Sequence, residues 1–361
     1  MVVTGPVLAQ APDQTSQTRF GPSAAHRRSA APRALVIGHR GAPGYRPEHT
    51  LASYELGARM GAHYIEPDLV STSDGVLVAR HDAEIGRTTD VAAHPEFADR
   101  RTVRTIDGHT LDGWFVDDFT FAELRTLRAV ERLPHLRQEN TLYDRRHLVP
   151  SFDEVLALRE RLSTELGREI GIYPETKHPG YFAATGRALE PALVASLRAA
   201  GLDRADSPVF VQSFETANLR ALHAQIPVRL IQLLDDEDDP ADLVAVGRTV
   251  ADLVTPEGLA DIATYATGIG PAKDLVIGRT PDGALGLPTG LVENAHAAGL
   301  LVHVYTFRNE NAFLPATLRT PGAEADYGDA FAEYLAFLAL GIDGMFSDNP
   351  DTAVAALELA A

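Results

Sequence analysis

The chain has 361 residues, of which 45% are hydrophobic, enough to bury a substantial core, and this excludes disordered and fibrous classes. Lys and Arg total 32 against 50 for Asp and Glu, a formal net charge of -18, which argues against nucleic-acid or anionic-membrane partners held by bulk charge. No run reaches the roughly 18 apolar residues of a membrane span, and the absence of cysteine leaves carboxylates and histidines as the only strong metal ligands.

Residues 1–32 are rich in Ala, Pro, Ser, Thr and Gln and read as a disordered lead-in, without the basic n-region of an intact secretory signal. From residue 33 onward, short β-branched runs alternate with amphipathic stretches, the pattern of βα units. Strands are expected at 34–38, 64–69, 170–176, 209–213, 229–234, 267–270, 301–307 and 343–347. Helices are expected at 50–60, 152–166, 183–200, 216–225, 242–253, 290–298 and 330–340, with a closing helix at 353–359. Ser151-Phe-Asp-Glu154 and Thr120-Phe-Ala-Glu123 are capping boxes. Eight strands alternating with helices predict an α/β fold, a (β/α)₈ TIM barrel over 33–361.

The run 76–81 follows the second strand too closely for a crossover helix, so it must return as a hairpin. A fold-back at Ser73-Asp74-Gly75 then sets His81 opposite Glu66. Residues 83–150 have no place in the barrel and read as an inserted cap beside its mouth, with Trp114 as a core anchor.

The strand ends carry the chemistry, because the C-terminal face of such a barrel holds the active site. Gly38-His39-Arg40-Gly41 ends the first strand. Glu66-Pro67-Asp68 places two carboxylates at i, i+2, on one side of the second. Glu175-Thr176-Lys177 adds a third carboxylate and one of only two lysines in the chain, Lys177 and Lys273. Three neighbouring carboxylates need a cation, and an all-oxygen set suits Ca²⁺ or Mg²⁺. His81-Asp82 brings a second histidine beside His39, a candidate acid–base pair. Arg40 and Lys177 supply local positive charge for an anion. The acidic run Asp235-Asp236-Glu237-Asp238-Asp239 reads as a solvated loop, with a second cation site the less favoured reading. Lys273 is equally suited to a leaving-group contact and to a surface role.

The ordered runs Gly38-His39-Arg40-Gly41, Pro47-Glu48-His49-Thr50, Glu66-Pro67-Asp68-Leu69, His81-Asp82, Glu175-Thr176-Lys177, Gln212-Ser213-Phe214 and Gly344-Met345-Phe346-Ser347-Asp348 resemble the glycerophosphodiester phosphodiesterase family. The insertion, Gly171-Ile-Tyr-Pro-Glu175 and Gly268-Ile-Gly-Pro271 look closest to its exported, calcium-dependent bacterial branch, which implies an extracytoplasmic protein. The resemblance implies a phosphatidylinositol-phospholipase-C-like barrel with Glu66, Asp68 and Glu175 binding one divalent cation, Ca²⁺ or alternatively Mg²⁺. It implies His39 and His81 as acid and base, Arg40 and Lys177 at the phosphate, and Glu48 orienting a neighbour of the site. Gln212, Phe214 and Tyr305 are the remaining candidates for substrate contact. The implied activity is hydrolysis of glycerophosphodiesters to sn-glycerol 3-phosphate and an alcohol. A lysophospholipase D, a glycerol-phosphate polymer hydrolase and a non-catalytic glycerophosphodiester-binding protein are the alternatives. The partner is then a small molecule, with neither nucleic acid nor membrane span, and the oligomeric state is open.

Overall fold

The computed structural model describes residues 1, 2 and 34–361; beyond its first two residues, the expected lead-in lies outside the described residues. The main sheet contains β1 (Leu35–His39), β2 (Tyr64–Glu66), β3 (Asp68–Ser71), β4 (Leu77–Ala79), β5 (Gly171–Ile172), β6 (Glu175–Thr176), β7 (Phe210–Ser213), β8 (Arg229–Leu234), β9 (Gly268–Pro271), β10 (Leu301–Phe307) and β11 (Gly344–Ser347). Their order is β4-β3-β6-β7-β8-β9-β10-β11-β1-β2-β5, and every pairing is parallel except β3 with β4. The runs expected to be single strands at 64–69 and 170–176 are each divided, at Pro67 and at Tyr173-Pro174. Proline has no N–H to give to the ladder. The ladder nevertheless continues across both breaks, since Glu175 N donates to Pro67 O at 2.9 Å, Tyr173 N to Ile65 O at 3.0 Å and Gln212 N to Pro174 O at 2.9 Å. With β2 and β3 as one stave and β5 and β6 as another, the ends of the order meet and the eight-staved barrel closes.

The hairpin forms, but its register differs by one residue from the expected one. Thr72 N donates to Val76 O and Arg80 N to Asp68 O, and Leu69 pairs with Ala79 and Ser71 with Leu77. This sets Arg80 level with Asp68 and His81 across from Pro67, not Glu66. A one-residue slip reverses the faces of a strand. His81 reaches the barrel mouth because the chain has already left the sheet after Ala79.

Inside the barrel, Ile37, Tyr64, Tyr173, Phe210, Ile231 and Phe346 pack together, while a larger apolar cluster fills the layer between strands and helices. Helix Leu51–Arg59 starts at Thr50, whose side chain accepts from Ser53 N, and Phe152–Leu166 starts at the Ser151 capping box. The expected helix at 183–200 is two, Pro179–Ala184 and Leu189–Ala199. That at 242–253 divides into Ala241–Val244 and Val250–Leu253, and Pro256–Ile262 follows unforeseen. Gly186 (φ +75°) and Gly247 (φ +69°) take the left-handed turn that ends the first helix of each pair. Residues 83–150 contribute no barrel strand. They hold a ribbon of Thr102–Ile106 and His109–Gly113, a short helix Phe121–Leu124, and Trp114, half-buried with its Nε1 donating to Phe97 O at 2.8 Å.

Gly171 is where the interior is tightest: a Cβ there would lie 2.1 Å from Cε1 of Tyr64. Gly171→Ala should therefore lower stability by about 1–3 kcal/mol through overpacking, read as a fall in the urea midpoint. Unchanged unfolding would mean that Tyr64 swings aside freely.

Candidate active site

The C-terminal ends of the strands converge on a cavity of about 620 Å³ lined by His39, Arg40, Glu66, His81, Glu175 and Lys177 among others. His39 closes β1, and the chain then turns sharply at Arg40, a non-glycine residue with φ +52°. That turn aims the Arg40 amide at Glu66, whose Oε2 accepts from it at 2.6 Å. Glu66 and Asp68 flank Pro67, and Glu175 is register partner to Asp68.

Glu66, Asp68 and Glu175 are all buried, and each offers a carboxylate oxygen within 4.8 Å of the others. Burial, then the charges of Asp68 and Glu175, push Glu66 well above the usual carboxylate range. Burial and Asp68 push Glu175 up to about 8, against the pull of Lys177, whose Nζ stands 2.7 Å from Glu175 Oε1. Burial opposes ionisation of Asp68 too, but Lys177 and His49 outweigh it and hold its carboxyl well below the ordinary value. Asp68 Oδ2 meets His49 Nε2 at 2.9 Å, while the buried Oδ1 has no hydrogen-bond partner. An unpartnered oxygen between two carboxyls pushed toward protonation fits a hard divalent cation.

Each histidine leans on a carboxylate through Nδ1: His39 on Asp348 at 2.6 Å and His81 on Asp82 at 2.6 Å. Burial and Arg40 lower His39 to about 4 although Asp348 opposes them; burial, Arg40 and Lys177 lower His81 to about 3 against Asp82. Both rings are thus neutral near pH 7. Asp348 and Asp82 are themselves held well below the carboxylate range by their cationic neighbours, despite burial. A neutral imidazole beside an ionised carboxylate keeps its proton on Nδ1, which leaves Nε2 as an acceptor.

The other expected residues divide. Gln212 Nε2 donates to Glu66 Oε1 at 3.1 Å. Phe214 and Tyr305 line the cavity, edge to face at 6.2 Å, with Tyr305 Oη donating to Leu234 O at 3.0 Å. Glu48 accepts from Arg40 at 3.1 Å and takes two bonds of 2.7 Å from Arg132. Asp236 to Asp239 are exposed at the rim, and among the described residues Glu66, Asp68 and Glu175 are the one group able to hold a metal. Lys273 is no surface lysine: it lines the same cavity. Its Nζ is buried against Glu333 at 2.8 Å. Asp348, Asp82 and His49 were not singled out for roles, although each sits in one of the recognisable runs, which was the signal available. Arg132, Arg137 and Arg308 carried none.

The fold and the gathered strand ends place this chain among the (β/α)₈-barrel enzymes. It belongs to the Glycerophosphoryl diester phosphodiesterase family, whose model matches residues 39–352. Over 325 residues it is 34% identical to the glycerophosphodiester phosphodiesterase GDPD6 of Arabidopsis thaliana, covering 86% of this chain and 82% of that one. It is 28% identical over 345 residues to a glycerophosphodiester phosphodiesterase of Haemophilus influenzae, with 89% and 88% covered. Among solved structures, a phosphodiesterase of Oleispira antarctica in complex with the product sn-glycerol-3-phosphate superposes with a TM-score of 0.58 at 19% identity, over 90% of this chain and 96% of that one.

Adding a divalent cation should raise the melting temperature, because only the folded site holds it, and Glu66→Gln should abolish the rise. Glu66 and Glu175 must lose their protons before they can take a cation, so cation affinity should climb with pH through about 8 and beyond. Calorimetric titration across that range reads it directly; affinity independent of pH would remove Glu175 from the ligand set.

Proposed function

We propose that this enzyme hydrolyses glycerophosphodiesters such as glycerophosphocholine and glycerophosphoethanolamine to sn-glycerol 3-phosphate and an alcohol. The observation that carries the reading is the pair of carboxylate-backed histidines, both neutral, lining one cavity with Glu66 and Glu175 of the acidic triad, Arg40 and Lys177. Within a chain of net charge -18, those two cations supply the local attraction a phosphate requires. Glu66, Asp68 and Glu175 would hold the divalent cation, which when bound neutralises phosphate charge and acidifies a neighbouring hydroxyl.

His39 Nε2 removes the proton from the glycerol 2-hydroxyl as that oxygen bonds to phosphorus. The bond from phosphorus to the alcohol oxygen breaks, and His81 donates a proton to the departing oxygen. Burial, Arg40 and Lys177 depress His81 in the free enzyme, and the charge of the bound phosphate opposes the two cations and so favours the proton that His81 donates. A cyclic glycerol phosphate results. Water then opens it, losing its proton to His81 while His39 returns its own to the 2-oxygen, so both rings end as they began. Arg40 grips the phosphate as a planar fork and Lys177 as a point charge.

The same reading takes Ca²⁺ as the cation, with Mg²⁺ the alternative, and assigns the chain to the exported branch of the family. Its support there is the oxygen-only ligand set and the insertion 83–150.

His39→Ala and His81→Ala should each lower kcat by about 10² to 10⁴, and the double variant should be little worse, since the two act as a unit. A substrate with hydrogen in place of the 2-hydroxyl should resist cleavage. Its turnover at the rate of glycerophosphocholine would replace internal attack with direct attack by water.

A further inference from the structure

Each histidine's carboxylate is in turn gripped by an arginine from one short stretch of the insertion, and Asp348 takes a further bond of 2.9 Å from Arg308 Nε, outside it. Arg132 NH1 donates to Asp82 Oδ2 at 2.7 Å, while its Nε and NH2 fork onto Glu48. Arg137 NH2 donates to Asp348 Oδ2 at 2.6 Å, and its Nε to Glu310 Oε1 at 2.7 Å. In both cases the histidine takes one carboxylate oxygen and the arginine the other, which stops the carboxylate from rotating. We propose that the turn carrying Arg132 and Arg137 is a clasp that positions both acid–base histidines at once, and so makes the insertion a working part of the catalytic site.

The turn is built to hold that shape. Arg137 N donates to Leu133 O at 2.8 Å, and Leu133 N to Glu131 Oε1 at 2.8 Å. Asn140 Nδ2 reaches both Glu131 Oε2 at 2.9 Å and Pro43 O at 2.8 Å, which staples the turn to the loop leaving β1. Arg137, Glu131, Asn140 and Glu310 are all buried.

The electrostatics follow from the geometry. His39 faces Asp348, Arg40, Arg308 and the Phe346 ring, with Glu66 on the adjoining strand. His81 faces Asp82, Arg40, Lys177 and Asp68. Without Arg132, Asp82 would be freer to turn and would draw a proton more strongly onto His81; without Arg137, Asp348 would keep Arg308 Nε on its Oδ2 at 2.9 Å but lose the second donor that fixes its plane beside His39. The clasp therefore fixes both the direction of Nε2 and the availability of its lone pair.

This inference rests on His39 and His81 being the acid–base pair, so the test separates the two. Arg132→Gln, Arg137→Gln and their Lys counterparts are compared with His39→Ala and His81→Ala in the full-length enzyme, with divalent cation and glycerophosphocholine. Arg137→Gln should cut kcat about 10- to 100-fold with KM nearly unchanged, Arg132→Gln should cut kcat as much and also raise KM because it releases the Glu48 that holds Arg40, and both should move the acid limb of the rate profile to higher pH. Lysine should restore only part of the rate, since it lacks the fork. Asn140→Ala, which leaves both arginines in place, should lower kcat several-fold and keeps the test alive if an arginine variant fails to fold. Inactive histidine variants beside arginine and Asn140 variants of normal kcat and pH profile would overturn the clasp alone. Active histidine variants would overturn the acid–base reading beneath it.

Discussion

Negative charge has to be held out of water at the mouth of this barrel, and most of the surrounding architecture answers that constraint. Glu66, Asp68 and Glu175 sit above an aromatic floor of Tyr64, Tyr173, Phe210 and Phe346 that offers them no solvent. A carboxylate in such a place must be neutralised, protonated or bridged by a cation. Lys177 and His49 keep Asp68 ionised, and the Arg40 amide and Gln212 each hold one oxygen of Glu66. Around this centre the sign alternates: Arg40, then Glu48, then Arg132, then Asp82, which backs the neutral His81 ring. Removing any one link takes a partner of opposite sign from its neighbours, so these groups form one network.

The barrel was legible because its signals are local. Hydrophobic runs and the capping boxes at Thr120 and Ser151 depend on a few consecutive residues, and they hold in the structure. Glu66, Asp68, Glu175, His39 and Lys177 were legible as candidates because a strand end has a known destination in such a fold. The hairpin register was not, since it turns on whether Thr72 N closes the turn onto Val76, a choice that Ser73-Asp74-Gly75 leaves free. Nor were the breaks at Gly186 and Gly247, where helical spacing of the apolar residues continues while the backbone does not.

Least legible of all were Arg132 and Arg137. They lie 84 positions from Glu48 and 211 from Asp348 respectively, within a segment that reads only as an inserted cap. Arginine is common in this chain, so two more of them stand out only once the fold returns them to the mouth. Asp348 and Asp82 were on view in recognisable runs, but that each supports the histidine's far nitrogen is a fact of three-dimensional arrangement.

The backbone at Arg40 shows what such a site asks of its host. Glycine would adopt φ +52° with little strain, whereas a side-chain-bearing residue held there costs on the order of 1 kcal/mol or more. The chain keeps the strained conformation because it needs the amide aimed at Glu66 and the guanidinium beside Glu48 and Asp68 from one residue. Stability and catalysis therefore pull against each other at position 40, and engineering this barrel for heat resistance alone would erode its chemistry there first.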